Sequence, residues 1–197
     1  MARTPTYSTP EGRATRERLI DAAKRAFAAR GFRGTAIDVV AAEAGVTRQG
    51  LLHHFPSKVH LLVAVLEQRD LEDKALAEEV AATDVGFEGM MLAVLDHSVQ
   101  RESLARLFTI LSAESIDADH PAHAHFLDRY RQARAGFTEW IASAQAAGEI
   151  VDTIAPDQLA AVMIAVLDGL QMQQHLDDEP LAIEQTLAAL LRTLRPA

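Results

Sequence analysis

Residues 35–55, TAIDVVAAEAGVTRQGLLHHF, restrict what this chain can fold into more than any other stretch. Thr35 stands at an N-cap position with Asp38 three residues on, and Ile37, Val40, Ala41 and Ala44 recur at helical spacing, so a short helix with one apolar face is expected. Gly45 suits the left-handed backbone conformation that ends a helix, Val46 plugs the angle that follows, and Thr47 caps a second helix. In that second helix Leu51 and Phe55 lie four apart on the side facing the first, while Arg48, Gln49, Leu52 and His53 fall elsewhere on its surface, and Pro56 limits its extension. Two helices across a short glycine-containing turn, the second short and polar at its tip, make a helix-turn-helix whose second helix fits a DNA major groove.

Composition is consistent with that reading and narrows it. With 197 residues, 49% of them hydrophobic, the chain is long enough to bury a core as one domain or two. Seven prolines and ten glycines among many alanines, leucines, glutamates and arginines favour helices over sheets, so the expected fold class is all-α. The absence of cysteine excludes disulfides and thiolate metal sites. Neither a signal-peptide pattern behind Met1 nor an apolar run of about 18 residues is present, and a cytoplasmic protein without a membrane partner is expected. The net charge of −9 is unevenly spread: residues 1–58 hold ten Lys and Arg against five Asp and Glu, the remainder nine against 23. The basic end coincides with the helix-turn-helix, where a positive face attracts phosphates.

Along the chain, residues 1–14 read as a flexible basic arm with Arg3 and Arg13, and 15–58 as a three-helix DNA-binding domain. Its first helix carries the stripe Leu19, Ala22, Ala23, Ala26, Phe27 and stops at Gly31. The hydroxyl of Thr35 and the free amides behind it are placed to meet a phosphate. Residues 59–197 read as a second helical domain. Ser57 opens a long helix reaching about residue 80, followed by helices over 86–100, 103–116, 121–147, from 156 onward, and 180–194. The last two are apolar over more of their circumference than a surface helix requires. Leu159, Val162, Val166 and Leu170 of one, with Leu187, Leu190 and Leu191 of the other, are therefore assigned to a four-helix interface in a homodimer.

The string ARGF before Gly34 and Thr35, the turn AGVT at 44–47 and LLHHFPSK at 51–58 closely resemble the TetR family of transcriptional regulators over the first sixty residues. Beyond them the likeness lies in helix count and layout. The resemblance implies an all-helical homodimer with an N-terminal DNA-binding domain and a C-terminal ligand-binding and dimerisation domain, in most members a repressor released from its operator by a small molecule. It also implies that Thr35, Thr47, Arg48, Gln49, His53 and Lys58 contact double-stranded operator DNA, Arg48 suited to guanine, Gln49 to adenine, and Thr35, Thr47 and Lys58 to phosphates. Gly50 and Leu52 depart from the family's usual threonine and tyrosine. A symmetric dimer calls for a pseudo-palindromic operator.

For a small, mostly apolar effector, the pocket candidates by face are Met91, Leu95, Phe108, Leu111, Phe126, Tyr130, Phe137, Trp140, Met163, Leu167, Gln171 and His175, with Tyr130, Gln171 and His175 as orienting groups. Two alternatives are a metal-responsive regulator built on residues 117–125, DADHPAHAH, and a helical ligand-binding protein without a DNA role. No GxSxG, glycine-rich phosphate loop or HExxH occurs, so neither an enzyme nor a cofactor is expected, and no metal site is assigned.

Overall fold

The computed structural model describes residues 9–83, 85–99, 102–177, 179 and 181–196. Among these the chain is helical with no strand: α1 (Pro10–Gly34), α2 (Ile37–Glu43), α3 (Arg48–His54), α4 (Lys58–Ala81), α5 (Gly86–Val99), α6 (Glu102–Glu114), α7 (His123–Ala146), α8 (Pro156–Leu176) and α9 (Ile183–Thr193). There are two compact units, and their boundary falls inside α4 between Asp70 and Leu71. The first three turns of α4 belong to the first unit, which therefore extends beyond residue 58; Leu61, Leu62, Val65 and Leu66 in those turns are each at most 3% exposed.

In the first unit, α1 starts at Pro10, so residues 10–14 are helix rather than arm. Thr9 caps it, its hydroxyl accepting from the Gly12 amide at 3.0 Å, and Pro10 brings a preset φ to a position that needs no N–H. Residues 1–8 of the expected arm lie outside the described residues. The stripe Leu19, Ala22, Ala23, Ala26 and Phe27 is buried with Val40 and Ala41 of α2 and Leu51 of α3. At Gly31 the backbone leaves helical geometry with φ 71, the predicted stop, before one further turn to Gly34. After α2, Gly45 (φ 70) donates to Ala42 O at 3.1 Å while Val46 donates to Ala41 O at 2.9 Å, a glycine-centred motif that consumes the helix's last carbonyls and turns the chain toward α3.

In the second unit, α8 packs against α7 and α6, and α9 against α5. The core joins Met91 and Leu95 of α5, Ile141 of α7, Leu159, Met163, Leu167 and Leu170 of α8, and Ile183, Leu187 and Leu191 of α9. This corrects the interface assignment. Leu159, Leu170, Leu187 and Leu191 are at most 8% exposed within one chain, because α8 and α9 need that much apolar surface to close their own core. Val166 and Leu190 are half-buried at its edge, and Val162 is 52% exposed. The fifth and seventh helices run close to the expected spans; α7 starts two residues late, at His123.

Candidate nucleic-acid interface

Helix α3 is oriented by its one buried residue. Leu51 is 0% exposed, which fixes that side against the core and leaves Arg48, Gln49 and His53 exposed, with Leu52 half-buried among them. Thr47 caps the helix as its position predicts, accepting from the Gly50 amide at 3.0 Å, and its side chain stays at the surface. Arg48 stands at the first helical position. Its Nη1 donates to Asp38 Oδ2 at 2.7 Å, an ion pair from α3 back to α2. Sequence reasoning gave Asp38 a capping task and missed this pairing; its signal was an acidic residue on the first turn of the helix that α3 must cross.

Two expected DNA contacts point inward. Thr35 is 1% exposed and is not the cap of α2; that position is Ala36, without a side-chain cap. The Thr35 hydroxyl is placed to donate to the carbonyls of Gly31 at 2.8 Å and Ala26 at 3.1 Å. The break at Gly31 orphans those carbonyls, and a buried hydroxyl beside them is worth more there than at a solvated cap. Lys58 is drawn inward in the same way, its ammonium donating to Phe32 O at 2.8 Å and Thr35 O at 3.0 Å and lying 4.5 Å from the centroid of the Phe32 ring. Of its three N–H donors, two hold the α1–α2 junction to the start of α4. His54 is half-buried next to His53, with ring centroids 5.9 Å apart. Burial, then the neighbouring His53 and Arg16, lower its pKa.

The residues expected around an effector divide into core and polar groups. Met91, Leu95, Leu111, Met163 and Leu167 are buried, Phe108 stacks on Phe126 at 4.8 Å, and Trp140 meets Phe87 and Phe137 at 5.3 and 5.8 Å. Tyr130 donates its hydroxyl to Asp168 at 2.7 Å; burial, then the Asp168 charge and hydrogen bond, push its pKa up to about 12. Gln171 and His175 are half-buried on α8. A pocket of about 150 Å³ is lined instead by residues at the start of α5, the turn after α7 and the end of α9, among them Phe87, Glu149, Leu191 and Arg195, and by none of the twelve candidates. Nearby, Asp73 lies 3.0 Å from Arg129 Nη2 and 3.2 Å from His97 Nε2, a charged cluster that periodicity gave no reason to expect.

The histidine-rich segment serves the end of α6. His120 Nδ1 pairs with the Ser115 hydroxyl at 2.9 Å and His123 Nδ1 with the Ser115 carbonyl at 2.8 Å. Among the described residues no grouping of three or more His, Asp or Glu is placed to hold a metal ion. No helix of the described residues is long and apolar enough to cross a membrane.

A helical head presenting α3, followed by a separate helical unit, is the arrangement of a helix-turn-helix regulator. Comparison with known proteins makes that specific. Residues 19–65 match the family of bacterial regulatory proteins named for tetR, and residues 106–190 match the tetracyclin repressor-like C-terminal domain. The chain is 30% identical over 124 residues to the uncharacterised HTH-type transcriptional regulator TtgW of Pseudomonas putida, covering 62% of this chain and 92% of that one. It is also 30% identical over 153 residues to the HTH-type transcriptional repressor SCO4008 of Streptomyces coelicolor, covering 78% and 76%. A crystal structure of a TetR transcriptional regulator from Chloroflexus aurantiacus superposes with a TM-score of 0.76 at 23% identity, over 94% of this chain and 96% of that one. The protein belongs to the TetR family of transcriptional regulators, which are not enzymes.

Proposed function

We propose that this protein is a homodimeric repressor that reads a pseudo-palindromic operator through α3 and is released from it by a small, mostly apolar molecule bound in the second unit. The observation that carries the DNA reading is the outward set of Arg48, Gln49 and His53 opposite the fully buried Leu51, in the part of the chain with ten basic and five acidic residues. Arg48 takes guanine, Gln49 takes adenine, and His53 and Thr47 hold the neighbouring backbone. Thr35 and Lys58 support this face from behind, and a Lys58 contact to phosphate is left to its third N–H. Such a role places the protein in the cytoplasm with the chromosome.

Dimerisation rests on an apolar surface that one chain leaves open. Val162, Met172 and Leu176 are 52%, 47% and 80% exposed and share one side of α8 with Ala165 and Gly169. The small residues allow a second helix to approach closely, and Val166 and Leu190 border the surface. Release requires a molecule that prefers the dimer geometry that misfits DNA; one bound equally well by both geometries shifts nothing.

The test is selection of a binding duplex from a random pool, followed by gel shifts. Arg48→Ala is expected to cost about 1–3 kcal/mol on the selected duplex and little on random DNA. Equal affinity of Arg48→Ala and the parent for both duplexes would overturn the assignment of α3.

A further inference from the structure

We infer that Asp38 is a specificity-determining positioning residue: its carboxylate holds the Arg48 guanidinium in the orientation from which it reads a base, and its charge disfavours duplexes where that contact is not made. The inference rests on the reading of α3 given above. Arg48 Nη1 to Asp38 Oδ2 is 2.7 Å, a short charge-assisted bond between two helices of the head. Both side chains are well exposed, at 61% and 58%, so water screens the pair and it adds little to folding. Its effect falls on orientation instead.

An arginine on a surface helix samples many rotamers, and ordering them at the moment of binding weakens the contact formed. Tying Nη1 to α2 removes part of that disorder beforehand, because α2 is itself anchored by Val40 and Ala41 in the core. The edge formed by Nε and Nη2 stays available, and two adjacent donors are what guanine O6 and N7 accept. Asp38 also sets a negative charge on a face that must approach phosphates. On a matching duplex the guanine contact offsets the repulsion; on others nothing does, which is specificity gained by penalising the wrong partner.

The experiment measures the ratio of affinities for the selected duplex and a random one, in the full chain, for Asp38→Ala, Asp38→Asn, Arg48→Ala and the double variants with Arg48→Ala. Because Asp38 lies in the first turn of α2, thermal melting by circular dichroism accompanies each variant, and Asp38→Asn keeps the side chain's shape should the alanine weaken the helix. Both Asp38 variants are expected to lower the ratio about tenfold while random-duplex affinity rises about threefold, and neither should change the ratio once Arg48 is alanine. A ratio within about twofold of the parent in both Asp38 variants, with Arg48→Ala still reducing it, sinks the inference and leaves the reading of α3 intact. A loss that persists in the Arg48→Ala background overturns it too, since Asp38 then acts alone. If Arg48→Ala itself leaves the ratio unchanged, the reading of α3 fails and the inference with it.

Discussion

The two units are both helical, yet different contacts hold them in shape. In the head, the decisive polar bonds are mostly short-range: Thr9 to Gly12, Thr47 to Gly50 and Thr35 to Gly31 each close a single turn, and only Lys58 reaches far, across 23 and 26 residues to Thr35 and Phe32. In the second unit they join residues distant in the chain. Asp73 pairs with His97 and Arg129, Tyr130 with Asp168 across 38 residues, and the Glu149 carboxylate accepts from the first-turn amide of Phe87 across 62. A head built on local turns has one face fixed by its own sequence, suiting a surface that must always match a duplex. A unit tied by distant polar pairs can rearrange when a pair is displaced, suiting a part that responds to a molecule.

The largest expected effect is a test of whether the units answer separately. Trp140 is the one tryptophan of the chain and lies in the second unit against Phe87 and Phe137, so its fluorescence reports that unit. Leu51→Ala should destabilise the head by about 2–5 kcal/mol, abolish operator binding and leave the urea midpoint of Trp140 fluorescence in place, whereas Leu191→Ala should move that midpoint by a similar amount. Identical shifts in both signals for both variants would break the comparison.

Next in size is Lys58→Met, which leaves the carbonyls of Phe32 and Thr35 without their donor. A loss of about 1–3 kcal/mol in the head is expected, with the salt dependence of DNA binding nearly unchanged. If stability held and the salt slope fell by about one, Lys58 would be a phosphate ligand instead of a clamp.

Tyr130 sharpens the comparison from the other side. A pKa raised from 10.0 to about 12 means that the folded chain keeps the phenol proton in a range where the unfolded chain loses it. The contribution is complete below pH 10 and disappears as pH rises toward 12. In a Tyr7→Phe background, phenolate absorbance of folded protein should titrate high, and Asp168→Asn should bring it down by removing the charge that opposes ionisation. An unchanged titration in Asp168→Asn would separate Tyr130 from Asp168.

The smallest effect belongs to His54. Its lowered pKa means the unfolded chain binds a proton more readily, so stability is full above the ordinary value of 6.5 and declines as pH falls below it. The head's melting temperature should drop modestly between pH 7.5 and 5.5, and His54→Asn should flatten that slope. The Trp140 signal serves as the internal control.

Legibility followed the same division. Gly31, Gly45 and Thr47 announced the turns of the head because a positive φ or a capping hydroxyl is a property of one residue and its near neighbours. Leu51 followed from periodicity. Thr35 misled for a physical reason: a threonine before a helix reads as a cap, and only the folded α1 shows that the carbonyls of Ala26 and Gly31 compete for the same hydroxyl. The interface assignments failed likewise. Over-apolar helices predict that something covers them, but periodicity does not distinguish a neighbouring helix of the same chain, which covers Leu159 and Leu187, from open surface, where Val162 and Leu176 lie. Asp168 carried a legible hint, a single acid within the apolar run of α8, though its partner Tyr130 did not.

Alternation of apolar and polar residues, with glycine and threonine at the breaks, was enough to specify an all-helical chain with a basic helix-turn-helix at its front, because helix formation and termination depend on interactions within about one turn. Which side chains are spent inside the molecule and which remain for a partner was settled only in three dimensions. Burial and pairing of Thr35, Lys58, Asp38 and Tyr130 depend on atoms brought together by packing, and sequence spacing alone does not encode those distances.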